Sequence, residues 1–302
     1  MLTPQHGIFA LGTRAHHHLE LDVASDANPE ALLGALGAVR EQTTTVQGVN
    51  LVVGLGAALC ERLMPAALPD QVGPFESLAG PDPDDPAVVM PADQHDLWLW
   101  IHGATPDAVF DAVRAAAGCL GDLATVVREQ PSFTYLSSRD LTGFEDGTEN
   151  PPLDEAAEAA VVPEGAPGAG SSVVLVQRWV HDLEGFEQLD HDEQCQVFGR
   201  DKHTNEELPD EVRSERSHIN RVVVEDDEGE ELEVFRRSTA FGGVLEHGLV
   251  FVAFSPDRAR LQRMLERMCG LGDGLPDRLT EFSRATASAW YVAPPVEAFR
   301  AP

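Results

Sequence analysis

Nine residues just past the midpoint of the chain, Gly143-Phe144-Glu145-Asp146-Gly147-Thr148-Glu149-Asn150-Pro151, bring together two glycines, three acids, a threonine and an asparagine. Gly143 and Gly147 permit backbone angles that other residues avoid, so a tight irregular loop is predicted. Such a loop can hold the Asp146 carboxylate clear of regular structure and aim it at a reacting group. The same composition also suits a solvated turn. Other chemistry-bearing residues are more dispersed. On a strand, His16 and His18 of the triple histidine would share one face, but two imidazoles alone do not make a metal site, and none is expected there. Cys60, Cys119, Cys195 and Cys269 are far apart and form no CxxC pair, which predicts free thiols. His218, taken alone, reads as a structural or exposed histidine.

The elements that must carry these residues follow from periodicity and caps. Gly7 to Val23 reads as strand in two stretches. Asn28-Pro29 is a cap followed by proline at the first helical position, and Leu32, Leu33, Leu36 and Val39 continue at helical spacing to about Glu41. Val49 to Leu55 reads as strand and Gly56 to Leu63 as a short helix. An extended acidic loop, centred on Pro81-Asp82-Pro83-Asp84-Asp85-Pro86, leads to a strand over Asp96 to His102. Thr105-Pro106 starts a helix over Ala108 to Leu120, and Leu123 to Gln130 returns to strand. The same plan recurs after the loop. It runs as a strand over Ser172 to His181, a helix over His191 to Phe198 capped by Asp190, and strands over Glu231 to Ser238 and Gly248 to Phe254. A helix opened by Ser255-Pro256 then precedes a strand over Ala287 to Val292. An insertion, about Gly199 to Glu230, distinguishes the second copy and falls between its first helix and the strand expected to follow. The expected class is α+β: two ferredoxin-like βαββαβ halves, antiparallel sheets with helices packed outside, divided near Gln130-Pro131 into residues 1–130 and 131–302.

Composition narrows the function classes. Of 302 residues, 51 are acidic and 21 basic, for a net charge of -30, which would repel nucleic acid and anionic membranes. Lys202 is the only lysine. No apolar run reaches membrane-spanning length and no leader-like segment opens the chain, so a cytoplasmic protein is expected.

Three segments resemble the dye-decolourising peroxidases, a family of haem enzymes. Gly143-Phe144-Glu145-Asp146-Gly147 is similar to the family's GxxDG signature. Glu215-Arg216-Ser217-His218-Ile219-Asn220-Arg221 resembles its histidine segment, with Asn220 where an arginine is usual. Phe235-Arg236-Arg237-Ser238-Thr239-Ala240-Phe241-Gly242 resembles its distal strand end, with Ala240 in place of proline. Gly199-Arg200-Asp201-Lys202 and Tyr291-Val292-Ala293-Pro294-Pro295 extend the likeness across the second half, and the overall plan fits the shorter bacterial class called B-type.

The resemblance implies haem b in the C-terminal half, with His218 as the iron ligand and Asp277 as its carboxylate partner. It implies Asp146, Arg236 and Ser238 as catalytic residues on the opposite face. An acid there can shuttle a proton between peroxide oxygens, and a guanidinium can stabilise the charge on the departing one. Arg200 is expected to meet the haem propionates, with Arg221 and His181 as weaker choices. Phe251, Phe254, Leu265 and Phe282 are expected to form the apolar wall. The implied reaction reduces hydrogen peroxide through a ferryl species and oxidises bulky phenols or dyes by one-electron steps, with Tyr135, Trp179, Trp290 and Tyr291 as candidate relays. The alternative is a haem-handling, deferrochelatase-like protein with incidental peroxidase activity. A homo-oligomer is expected, because two ferredoxin-like halves would leave sheet faces and edges to share between chains.

Overall fold

The computed structural model describes residues 2–300 apart from 45–47, 83, 85–87, 137, 226–228 and 230. Elements of the first half are β1 (Ala15–Val23), α1 (Pro29–Thr44), β2 (Asn50–Leu55), α2 (Ala57–Leu63), β3 (Leu78–Ala79), β4 (Val89–Met90), β5 (Leu97–Gly103), α3 (Pro106–Leu120) and β6 (Ala124–Phe133). The second half holds α4 (Ala156–Ala160), β7 (Ser172–His181), α5 (Leu183–Glu187), α6 (His191–Phe198) and α7 (His218–Val222). These are followed by β8 (Phe235–Arg236), β9 (Thr239–Gly242), β10 (His247–Ser255), α8 (Arg258–Met268) and β11 (Ser283–Ala293).

Each half is ferredoxin-like. The first sheet runs β2-β5-β1-β6 and the second β11-β7-β10-β9, all antiparallel, with the short β8 beside β10. The sheets do not remain separate. Val292 pairs with Leu55 at one seam and Phe133 with Ala240 at the other, so eight strands close into a barrel. The edges expected to be free for a second chain are therefore joined to each other.

Strand alternation sorts the side chains into three layers. Leu51, Val53, Leu97, Leu99 and Ile101 face outward under α1 and α3. Val173, Leu175, Ala253 and Trp290 face outward under α8, which presents Leu261, Met264, Leu265 and Met268. Between the sheets lie Val52, Trp98, Trp100, Val174, Val252, Phe254 and Tyr291. His16 and His18 do share a face, and it is this interior one, where their rings stack on Trp100.

Several expected boundaries shift for local reasons. Residues 6–8 form a single 3-10 turn instead of a strand. Helix α8 is capped by Asp257, whose carboxylate accepts from the Arg260 amide at 3.0 Å, two residues later than Ser255-Pro256 suggested. The expected strand over Glu231 to Ser238 shrinks to Phe235–Arg236, and pairing resumes only at β9. The acidic loop includes the β3–β4 ribbon at its flanks, while Pro83, Asp85 and Pro86 lie outside the described residues.

Candidate active site

On the outer face of the second sheet is a cavity with about 1050 Å³ of empty space, its open mouth included. Strand β7 supplies Gln177, Trp179 and His181 from one side of its alternation, and β10 supplies Leu249 and Phe251. Ile219 and Val222 of α7, and Met264 and Met268 of α8, complete an apolar wall.

His218 opens α7 and lines this cavity. Its Nδ1 is 2.6 Å from Oδ2 of Asp277, a carboxylate with 0 % exposure. The other Asp277 oxygen accepts from the Leu279 amide at 2.9 Å. A carboxylate in this geometry accepts a hydrogen bond from the Nδ1–H, which leaves the Nε2 lone pair free to act as a ligand. Among the described residues Nε2 has no hydrogen-bond partner.

The loop over 143–151 forms another part of the wall, and its shape depends on contacts distant in sequence. Phe144 is buried and stacks on Phe198 with ring centroids 3.9 Å apart, which fastens the loop to α6. Gly143 has φ +91°, and a Cβ there would sit 2.7 Å from Lys202 Cε. Gly147 has φ +76°, and a Cβ would meet Asn150 Nδ2 at 2.9 Å. Both positions thus exclude side chains. Asn150 clamps β8: its Oδ1 accepts from the Arg236 amide and its Nδ2 donates to the Arg236 carbonyl, each at 2.8 Å. Asp146 and the Arg236 guanidinium therefore enter the cavity from segments locked together.

The electrostatics follow from burial and neighbours. Burial raises the Asp146 pKa, and the nearby Arg236 charge partly opposes the rise. The Ser238 hydroxyl lies against this carboxyl and also lowers its pKa, without a hydrogen bond of ordinary geometry. Arg236 Nε is buried with no partner among the described residues, an unsatisfied donor beside the cavity. Asp140 goes the other way. Burial alone would raise its pKa, but His181 at 2.9 Å and the Thr142 hydroxyl at 2.6 Å outweigh this and hold it down.

The structure brings His218, Asp277, Asp146, Arg236, Arg200 and Phe251 to this cavity or its immediate wall. Three expected wall residues are elsewhere. Phe254 is three residues from Phe251 on β10, so it points to the barrel interior, near Trp100. Leu265 belongs to the α8 core face, and Met264 and Met268 line the cavity instead. Phe282 packs edge-on against Phe186, one layer behind the wall. Ser238 supports Asp146 from behind and does not line the cavity.

Among the arginines, Arg221 is buried in a two-pronged pair with Asp273 at 2.8 and 3.0 Å and does not reach the site. Arg200 does reach it, but its guanidinium already meets Glu149 and Glu207. Trp290 and Tyr291 are fully buried core residues, Tyr135 is half-buried, and Trp179 lines the cavity. Sequence reasoning missed Asn150, Asp140 and the Met264/Met268 pair. The methionines were legible as an i, i+4 face, whereas Asn150 and Asp140 act through partners 86 and 41 residues away.

Family comparison agrees with the geometry. Residues 5–134 match the Dyp-type peroxidase N-terminal family and residues 137–298 its C-terminal counterpart. The chain belongs to the dye-decolourising peroxidase family. A dye-decolorizing peroxidase from Brevibacterium linens is 34% identical over 301 residues, covering 97% of this chain and 80% of that protein. One from Mycobacterium tuberculosis is 35% identical over 254 residues, covering 82% and 74%. DyPB from Rhodococcus jostii RHA1 superposes with a TM-score of 0.86 at 33% identity, over 99% of this chain and 96% of that one. A variant of that protein solved in complex with heme gives a TM-score of 0.85 at 32% identity, with the same coverage. Membership places this dye-decolourising peroxidase among the haem-using oxidoreductases.

Proposed function

We propose that this cavity holds haem b, with His218 Nε2 as the protein ligand to iron, and that the enzyme reduces hydrogen peroxide while oxidising bulky phenolic or dye-like molecules. One observation carries the reading. An imidazole with a free Nε2, oriented by a buried carboxylate, shares a single cavity with an acid–guanidinium pair. The apolar wall of Ile219, Val222, Leu249, Phe251, Met264 and Met268 fits a flat hydrophobic macrocycle, and the unsatisfied Arg236 donor fits a polar reactant on its exposed side.

Haem, when bound, supplies an iron centre that accepts two oxidising equivalents and passes them on singly. The residues do the rest. Asp277 fixes the tautomer of His218 and raises its basicity as a ligand. Asp146 takes a proton from one peroxide oxygen and delivers it to the other. Arg236 offers its guanidinium to the oxygen on which charge develops. Asn150 keeps the two in register. Arg200, despite its two acidic partners, is the arginine on the cavity wall best placed for a propionate.

The test is an absorption spectrum of the haem-loaded protein before and after one equivalent of peroxide, followed by turnover of an anthraquinone dye. A Soret shift and bleaching of the dye are expected. An unchanged spectrum, or release of metal-free porphyrin without oxidised dye, overturns the proposal.

A further inference from the structure

A second cluster of ligating side chains lies behind the cavity wall, outside the catalytic machinery. His191 and Cys195 are four residues apart on α6 and so share one of its faces. Asp201 approaches them from the segment that leaves the helix. The ligand atoms of these three residues all lie within 4.8 Å of one another. Cys195 Sγ is 3.8 Å from both ring nitrogens of His191, and His191 Nε2 is 3.8 Å from Asp201 Oδ2.

The cluster is preorganised by local structure. Asp190 and Glu193 form a reciprocal capping box that fixes the start of α6, where His191 is the first helical residue. Gly199 ends the helix in the left-handed region at φ +84°, and this turn sends the chain back toward it. Asp201 Oδ1 is occupied by the His203 and Thr204 amides, both at 2.8 Å, which leaves Oδ2 directed at His191. Cys195 is buried, whereas the His191 side chain is 44 % exposed, so the site has a donor at its base and an open entrance. His203 stacks on His191 with ring centroids 5.0 Å apart and offers another imidazole at the rim. The one ammonium nearby, Lys202, is engaged elsewhere: Nζ donates to Gln194 at 2.9 Å and lies over Phe144 and Phe186.

We infer that His191, Cys195 and Asp201 form a binding site for a borderline-soft divalent cation, with zinc as the best match. A thiolate, an imidazole and a carboxylate, with a fourth position open to water or His203, suit tetrahedral zinc, while the sulfur donor disfavours calcium and magnesium. Binding releases the thiol proton to solvent and requires no oxidant. The ion clips α6 to its return segment. Because α6 carries Phe198 and the return segment carries Arg200 into the cavity wall, the role is structural.

The experiment uses the haem-loaded protein, stripped of adventitious metal with a mild chelator and titrated with zinc chloride by calorimetry. Zinc-edge X-ray absorption is measured at saturation. Haem loading keeps His218 out of the assay. One zinc per chain is expected, with one sulfur scatterer at about 2.3 Å and a raised unfolding temperature. Cys195→Ser should remove the sulfur signal, and His191→Ala, at an exposed position that folding tolerates, should weaken binding by more than about tenfold. Well under one zinc per chain, a coordination shell without sulfur, or unchanged affinity in His191→Ala overturns the inference.

Discussion

The barrel interior and the cavity both collect histidines, and the two regions treat them in opposite ways. Inside the barrel, His16, His18 and His102 stack against Trp98 and Trp100, with the closest centroids 4.1 Å apart for Trp100 and His102. Their hydrogen-bond partners are neutral: His16 accepts from the Trp100 indole, and His102 bridges the Thr13 hydroxyl and the Gly7 carbonyl. Burial pushes all three toward the neutral form, His16 down to about 4. In the cavity each histidine has a buried carboxylate instead, Asp277 for His218 and Asp140 for His181. The residue type is common to both regions, so the partner decides the role. A neutral stack yields packing. A carboxylate fixes one nitrogen and leaves the other for chemistry, or for a second hydrogen bond such as His181 makes to Ser283.

Exchanging single residues breaks this contrast most directly. His218→Ala is expected to abolish haem retention, read as loss of nearly all Soret absorption after desalting, whereas His18→Ala should keep it. Haem bound equally by both variants would dissolve the distinction. Arg236→Leu should slow the bimolecular reaction with peroxide by about 10²–10³-fold, measured by stopped-flow. Its unfolding midpoint should stay close to that of the parent, since the Asn150 clamp uses only the Arg236 backbone. Asp277→Asn should weaken haem affinity by about 10–100-fold, a smaller effect than loss of His218. Affinity equal to the parent's would leave Asp277 with no part in orienting the ligand.

The interior histidines sharpen the comparison through pH. The unfolded chain binds a proton on His16 near its ordinary value of 6.5, but the folded chain does so only near 4. Folding stability is therefore full above pH 6.5 and falls as pH drops toward 4, by about 3 kcal/mol for His16 alone. Urea unfolding at a series of pH values checks this, and His16→Gln should flatten the slope. Stability that stays level down to pH 4.5 would contradict neutral interior imidazoles.

What could be read from sequence depended on how locally each feature is determined. Strand β7 begins and ends where its alternation does, and α6 starts where Asp190 caps it. The GxxDG loop, His218, Arg236 and Asp277 were visible because their spacing resembles a known pattern. Phe254 was misplaced although strand parity alone separates it from Phe251. The segment over 231–238 has a strand-like composition, yet its pairing is set by Asn150, far away in sequence, and by Ala253 and Phe254 on β10. The barrel itself hangs on two single-residue seams that no periodicity encodes.

Those seams bear on any attempt to recombine relatives. Because Leu55 meets Val292 and Phe133 meets Ala240, neither half has an unclaimed flank, and a chimaera must satisfy two joints at once. Transplanting only the catalytic half onto a foreign first half would misalign the platform beneath His181 and Phe251. Productive crossovers are better sought within the outer helices and loops, where the joints are left untouched.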